Sequence, residues 1–543
     1  MINTIFSVPE PHNETTKSYE PGSSERRELK RKLAELASKP IEVPLIIGGK
    51  EVKTGNLGEM RTPHNHDLKL GVYHKAGKRE VVMAIKAALK VRQAWAEMPW
   101  GHRATIFRKA ADLLSGPWRS TLNAATMLGQ SKTVHQAEID AACEFIDFLR
   151  FNTYFMHEIM TDQPYSPPGF WNRCEYRPLE GFVFAVTPFN FTSIAGNLPT
   201  APAMIGNVVV WKPASSAVYS AYYLMRLLEE AGMPPGVINF LPGSGAEVGD
   251  AAMVSPDLGG IHFTGSTEVF QNMWKTVGNN ISRMKYYPRI VGETGGKNFI
   301  FVHNSAKLTP LIAATIRGAF EYQGQKCSAA SRMYIPASIW QQFREKYVAE
   351  VGRIKMGPPE DFRNFMAAVI DKAAFDKNKF YIEYAKKSDE AEIITGGNCD
   401  ESKGYFIEPT TFVTTNPHFK TMEEEIFGPV LTIYVYEDNK FEETIQLCDQ
   451  TSPYGLTGAI WGEDREQLVK MSDGLRNAAG NFYVNDKSTA AIVGQQPFGG
   501  GRASGTNDKA GSKQNLLRWI SVRTIKETMV SPEEWEYPFM EEE

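Results

Sequence analysis

The sequence predicts an α/β fold built on a largely parallel sheet with both faces covered. Three observations predict it. Short continuous apolar runs recur through the middle of the chain, helical stretches separate them, and each run stops at a proline or a glycine. The runs are 181–187, 207–212, 236–241 and 260–264, with 217–231 the clearest intervening helix. A strand that is apolar on both sides has to be covered on both sides, and ligands bind beyond the carboxyl ends of such strands. A second strand–helix series runs from Phe299 to Trp461.

The elements follow in order. The first twenty or so residues read as an extended arm. Ser24 caps a predicted helix over 25–37, with Leu29, Leu33 and Leu36 on one face. Residues 44–50 read as a strand and turn. Val82, Ile85, Leu89 and Trp95 give 80–98 a helical face, and 103–114 and 135–160 read as further helices. This helical layer ends in a proline-rich segment, 163–169. Beyond the first strand series, Leu311, Ile312, Thr315, Ile316, Ala319 and Phe320 predict a helix over 309–322.

Length and composition narrow the function classes. The 543 residues make two or three domains with a large core. The net charge, 59 − 63 = −4, gives no polybasic surface for nucleic acid or a membrane. No uninterrupted apolar run nears the roughly 18 residues of a membrane span. The five cysteines (143, 174, 327, 399 and 448) are scattered without metal-ligand spacing, which fits a reducing compartment and a metal-free enzyme. Before Arg26 the only basic residue is Lys17, among acids and prolines. That is neither a secretory signal nor an Arg-rich transit peptide.

Chemistry concentrates around Cys327. Its neighbours are small or polar, Lys326 is adjacent, and a nearby cation would favour the nucleophilic thiolate. Alone, it also reads as a buried, inert cysteine. Thirty-four residues upstream (327 − 293), Glu293 sits in a glycine-rich turn, as a solvated loop charge or as a general base. Asn190 ends the first strand after Pro188, where an amide either satisfies loop backbone or donates to a developing oxyanion. Lys212 ends the second strand as a surface charge or a ligand contact. Thr264, Gly265 and Ser266 end the fourth strand and open a helix. One glycine is a weak phosphate signal, but free N–H groups at a helix start suit a pyrophosphate. Glu423–Glu425 precede Ile426 and Phe427, and by themselves are a solvated charge run.

Together these motifs resemble the aldehyde dehydrogenase superfamily, with a Glu-x-Gly-Gly-Lys motif, a Gly-Gln-x-Cys motif, Pro-x-Asn, Phe-Thr-Gly-Ser and Glu-x-Phe-Gly-Pro in family order. The resemblance implies a Rossmann-like NAD domain, a catalytic domain and a small β oligomerisation hairpin. It makes Cys327 the nucleophile, Glu293 the base and Asn190 the oxyanion donor. It gives Pro188, Lys212, Thr264, Gly265, Ser266, Glu425 and Phe427 to NAD. NAD over NADP stays open.

A narrower resemblance, over about 24–530, is to the Δ1-pyrroline-5-carboxylate dehydrogenase family. It rests on 137–152, 320–328, 477–489, and 494–500 with 502–508. It implies oxidation of L-glutamate γ-semialdehyde to L-glutamate. Ser328 and the loop after Thr489 would bind the α-carboxylate through the N–H groups of Ala490 and Ala491. Glu144 and Lys326 would lie near the substrate, and Phe191 and Phe498 would flank its methylenes. Glu144 also reads as a charge at the edge of an amphipathic helix. Ala490-Ala491 depart from the glycine and serine expected there. Two other readings remain: a dehydrogenase of another small aldehyde, or a non-catalytic structural relative.

The expected division is 1–162 for the N-terminal helical part of the NAD domain, 163–180 for part of the hairpin and 181–291 for the NAD-binding sheet. The catalytic domain covers 292–495, and the C-terminal segment with the oligomerisation strand covers 496–543. The expected assembly is a homodimer or a higher homo-oligomer, with no nucleic-acid or membrane partner. The resemblance implies the mitochondrial matrix; the N-terminal composition favours the cytoplasm.

Overall fold

The computed structural model describes residues 6–542; residues 1–5 of the predicted arm lie outside them. Two seven-stranded sheets organise the chain. In the first, Phe182–Val186, Val209–Lys212, Ile238–Phe240, Leu258–Thr264 and Arg289–Glu293 run parallel, so all four predicted runs are strands. The antiparallel strands Leu45–Ile47 and Lys50–Val52 extend one edge, the predicted strand and turn. The second sheet contains Asn298–Val302, Ala330–Pro336, Thr410–Thr414, Val430–Tyr436, Thr457–Trp461 and Asn481–Val484, with antiparallel Ala391–Thr395 on its edge.

Strand alternation decides which core each side chain joins. On Asn298–Val302, Phe299 and Phe301 enter one apolar cluster while Ile300 and Val302 enter another. Neighbouring side chains point to opposite faces and both faces are dry, as the continuous apolar runs predict. Each such side chain contributes roughly 1.5–3 kcal/mol by leaving water.

Some elements differ from expectation. The first helix is Ser24–Ser38, and its cap is Ser23, whose hydroxyl accepts from Arg26 N–H at 3.3 Å, not Ser24. Leu57–Thr62 and Asn65–His74 form a β ribbon within the region expected to be helical, and Ile41–Val43 pairs with its second strand. Charged and half-buried residues blur the alternation there. The run 135–160 is not one α-helix. A π-turn, Glu138–Glu144, interrupts it before Phe145–Thr161. The C-terminal strand Ile520–Thr528 pairs antiparallel with Phe170–Pro178 in a two-stranded ribbon.

Candidate active site

Three short segments meet where the two sheets approach each other. The first carries Cys327. After helix Leu308–Phe320 the backbone turns through left-handed conformations at Tyr322, Gln323 and Gly324 (φ 52°, 55° and 65°). Two non-glycine residues there mean stored strain, and Gln323 shows what holds it. Its amide donates to the Ala368 carbonyl at 2.6 Å and accepts from Ala367 N–H at 3.0 Å. A Cβ on Gly324 would meet the Gly428 carbonyl oxygen at 2.2 Å, so only glycine fits. Asn298 then donates to the carbonyls of Cys327 (2.6 Å) and Ala329 (2.9 Å), clamping the cysteine loop to the neighbouring strand.

The second segment carries Glu293 at the end of the sheet-edge strand Arg289–Glu293, in register with Thr264. Gly265 N–H donates to its carbonyl at 3.2 Å. Burial, opposed by Lys509, pushes the Glu293 carboxyl up to about 8. The third carries Asn190 and Phe191, just before helix Thr192–Met204. The Asn190 amide donates one hydrogen to the Gln325 carbonyl at 3.1 Å, which orients the side chain and leaves its second hydrogen for another acceptor. Asp140, in the π-turn, accepts from the N–H groups of Thr192 (3.0 Å) and Ser193 (2.9 Å), the first orphan donors of that helix. Lys132, fully buried, pairs with Asp140 at 2.7 Å and stands 4.1 Å from the Phe191 ring centre.

A cavity of about 440 Å³ opens among these segments. Cys327 and Glu293 line it, and so do all seven residues expected to face the substrate: Glu144, Phe191, Lys326, Ser328, Ala490, Ala491 and Phe498. Asn190 does not line it, although the adjacent Phe191 does. One expectation is corrected. Lys326 does not activate the thiol, because its ammonium pairs with buried Glu321 at 3.1 Å. The thiol is buried rather than freely accessible. Burial, then the carboxylates of Glu293, Glu425 and Glu144, push it far above the usual thiol range. Lys487 shares Glu321 at 3.3 Å, and despite burial the two lysines hold that carboxyl down at about 2. Burial and then Asp140 push Glu144 up to about 8. Glu321, Lys487, Asp147, Lys132 and Asp140 carried no expectation of their own. The signal available was that four of them fall in the quoted stretches 137–152, 320–328 and 477–489.

Of the expected dinucleotide residues, Pro188, Lys212, Thr264, Gly265 and Ser266 lie at the carboxyl ends of the first sheet, while Glu425 and Phe427 precede the strand Val430–Tyr436 of the second. Lys212 ends Val209–Lys212, is 8% exposed, and has no acidic partner among the described residues; burial brings it down to about 8. Pro188 follows Thr187, whose hydroxyl accepts from the Trp211 indole at 3.0 Å. Ser266 caps helix Thr267–Asn280, accepting from Val269 N–H at 3.4 Å. On the other side Glu425 accepts from Gly296 N–H at 2.8 Å, and burial pushes its carboxyl up. Phe427, at φ 64°, packs edge-on against Phe189. An unpaired buried ammonium, a capped helix start and a half-committed carboxylate are what a ribose-pyrophosphate chain needs, so these residues fit a dinucleotide. Among the described residues no acid, histidine and cysteine cluster could hold a metal ion, and no helix is long and apolar enough to cross a membrane.

The aldehyde dehydrogenase family pattern matches residues 53–525. The chain belongs to the aldehyde dehydrogenase family. Within it, the chain is 52% identical over 537 residues to the mitochondrial Δ1-pyrroline-5-carboxylate dehydrogenase of Dictyostelium discoideum, covering 98% of this chain and 96% of that one. It is 49% identical over 530 residues to the human mitochondrial enzyme of the same name, covering 97% and 94%. Its fold is similar to the NAD-bound Δ1-pyrroline-5-carboxylate dehydrogenase of Mycobacterium tuberculosis, with TM-score 0.96 and 50% identity over 99% and 100% of the two chains. The expected α/β aldehyde dehydrogenase fold is borne out.

Proposed function

We propose that this aldehyde dehydrogenase oxidises L-glutamate γ-semialdehyde, the open form of Δ1-pyrroline-5-carboxylate, to L-glutamate with NAD, in proline degradation. The names of its relatives support this reading, and one observation carries it. Glu144, Asp147, Lys326 and Lys487 all line the Cys327 cavity, and the two lysines share the single carboxylate of Glu321, which leaves one net positive charge between them. An α-amino acid head brings one charge of each sign, and a pocket bearing both prefers it to a plain alkyl chain.

In this mechanism Cys327 Sγ attacks the aldehyde carbon, and the free hydrogen of the Asn190 amide and the Cys327 N–H donate to the oxygen as it becomes negative. Because the thiol is pushed up in the buried site, its proton has to leave to a base as attack begins. Glu293 is the base lining the same cavity. The dinucleotide, when bound, supplies the hydride acceptor that turns the Cys327 adduct into a thioester. Lys212 and Glu425 would hold its two riboses, Ser266 and the helix start its pyrophosphate, and Phe427 and Pro188 would border the nicotinamide. Glu293, having passed the thiol's proton on to solvent, then takes a proton from the water that cleaves the thioester, and Cys327 leaves as the thiolate. Ser328 and the N–H groups of Ala490 and Ala491 would receive the α-carboxylate, and Phe191 and Phe498 would flank the methylenes. Acid quenching during turnover tests the sequence. The Cys327 peptide should carry a glutamyl thioester by mass spectrometry once NADH has formed, and an unmodified Cys327 throughout turnover would overturn it.

The ribbon of Phe170–Pro178 and Ile520–Thr528 would join a second copy of the chain in a homo-oligomer, and exposed Trp171 and Val522 on it support that reading. The proposed domain division keeps the boundaries given above, with the β ribbon of 57–74 added to the first domain. The compartment proposed is the mitochondrion, after the relatives' names, and imaging of a full-length fluorescent fusion checks it.

A further inference from the structure

The predicted arm is not a loose extension. From Asn13 to Tyr19 it lies against the π-turn and the helix Phe145–Thr161, without secondary structure of its own. Asn13 uses its whole side chain. Its amide donates to Asp147 Oδ2 at 2.8 Å and to the Val493 carbonyl at 2.8 Å, and its Oδ1 accepts from Gln495 Nε2 at 2.9 Å. Glu14 N–H donates to the other Asp147 oxygen at 2.7 Å. The Glu14 carboxylate accepts from Arg119 at 2.6 Å and Arg150 at 2.8 Å. Further along, Lys17 N–H and the Tyr19 hydroxyl donate to buried Glu138 at 2.8 and 2.7 Å. Asn13, Glu14 and Thr16 themselves line the cavity that holds Cys327.

These contacts join two walls more than three hundred residues apart in sequence: they touch through apolar packing of Gly494 on the Phe151 ring, and Asn13 adds the polar tie between them. One wall is the helix carrying Asp147, three residues after Glu144. The other is the loop 490–495, which begins at the alanines expected to receive the α-carboxylate. The loop has no helix or strand to fix it. A side-chain amide bonded to both walls sets their separation.

We propose that Asn13 is a specificity-determining positioning residue: it ties the loop 490–495 to Asp147 and so fixes the width of the cavity at the end that receives the amino acid head. The inference rests on reading that cavity as the semialdehyde site. An aldehyde that carries an α-amino acid head depends on both walls at once. A short alkyl aldehyde reaches Cys327 without touching either.

The test compares wild type with Asn13→Ala on glutamate γ-semialdehyde and on propanal. The expected result is a KM for the semialdehyde raised about tenfold with kcat within about twofold. Propanal kcat/KM and the KM for NAD should be unchanged. Gln495→Ala, which removes only the donor to Asn13 Oδ1, should shift the same KM in the same direction by a smaller factor, and it serves if Asn13→Ala does not fold. An unchanged semialdehyde KM in both variants, or an equal loss on both aldehydes, overturns the proposal. Phe498→Ala separates this failure from that of the cavity reading. If it abolishes the preference for the semialdehyde while the Asn13 and Gln495 variants keep it, the cavity stands and the tie falls.

Discussion

Glu293 carries a carboxyl pushed up to about 8 by its burial, and a base must first be deprotonated. Below that pH the neutral acid dominates, and above it the carboxylate does. The kcat should therefore rise with pH through about 8, and Glu293→Gln should remove that rise. Removing a general base costs roughly 10²–10⁴-fold, and because the same carboxyl takes the thiol's proton, rapid-mixing measurements should show the first turnover of NADH slowed along with the steady state. A pH profile unchanged by Glu293→Gln would remove this residue from the mechanism. Lys212→Ala should raise the KM for NAD about tenfold or more while the aldehyde KM holds, since the lost group is a buried ammonium of the dinucleotide half. Residues such as Cys327 and Glu293 were legible in the sequence because their motifs are local. The direction of Lys326 was not. Its partner Glu321 lies just upstream in the chain, but a left-handed turn at Tyr322–Gly324 decides that the two meet, and no residue pattern announces it.

At the scale of elements, the π-turn Glu138–Glu144 and the helix Thr192–Met204 act as a pair. The turn delivers Asp140 to the helix start, and Lys132, buried like Asp140 itself, pairs with it there. Breaking a buried pair by removing one partner typically costs about 3–5 kcal/mol. Lys132→Met should lower the urea midpoint accordingly. It should also reduce kcat more than the KM for NAD, because Asn190 and Phe191 lie at the start of that helix. An unchanged urea midpoint would mean that the pair does not hold the segment. The helices and parallel strands were legible from period and punctuation. The π-turn was not, since one extra residue per turn hardly alters an apolar pattern already crowded with Glu138, Asp140 and Glu144. The ribbon 57–74 was hidden in the same way, because charged side chains on its exposed face break the alternation.

At the scale of the molecule, the two sheets supply different halves of the site, and chain ends complete it. Cys327, Ser328 and the alanine loop come with the second sheet, and Glu293 and Thr264 with the first. Asn13 comes from the N-terminal arm, and Asp508 and Lys509, close to Glu293, from the C-terminal segment. Such contacts, between residues hundreds of positions apart, were beyond what spacing conveys, and for that reason the arm read as a mere extension. The C-terminal ribbon makes a prediction of its own. Ending the chain after the buried Trp519 removes the strand Ile520–Thr528 but keeps the indole that packs on His262 at 4.7 Å. The shortened protein should fold and sediment as a monomer, and an unchanged assembly would place the interface elsewhere.

The central claim is that Cys327 performs aldehyde oxidation in a cavity shaped for an amino acid aldehyde. It is tested most directly by NADH formation with glutamate γ-semialdehyde, propanal and succinic semialdehyde, for wild type and Cys327→Ala. The account predicts a strong preference for glutamate γ-semialdehyde, abolished in Cys327→Ala. Equal or faster turnover of the simple aldehydes would contradict the substrate, and activity surviving in Cys327→Ala would contradict the chemistry.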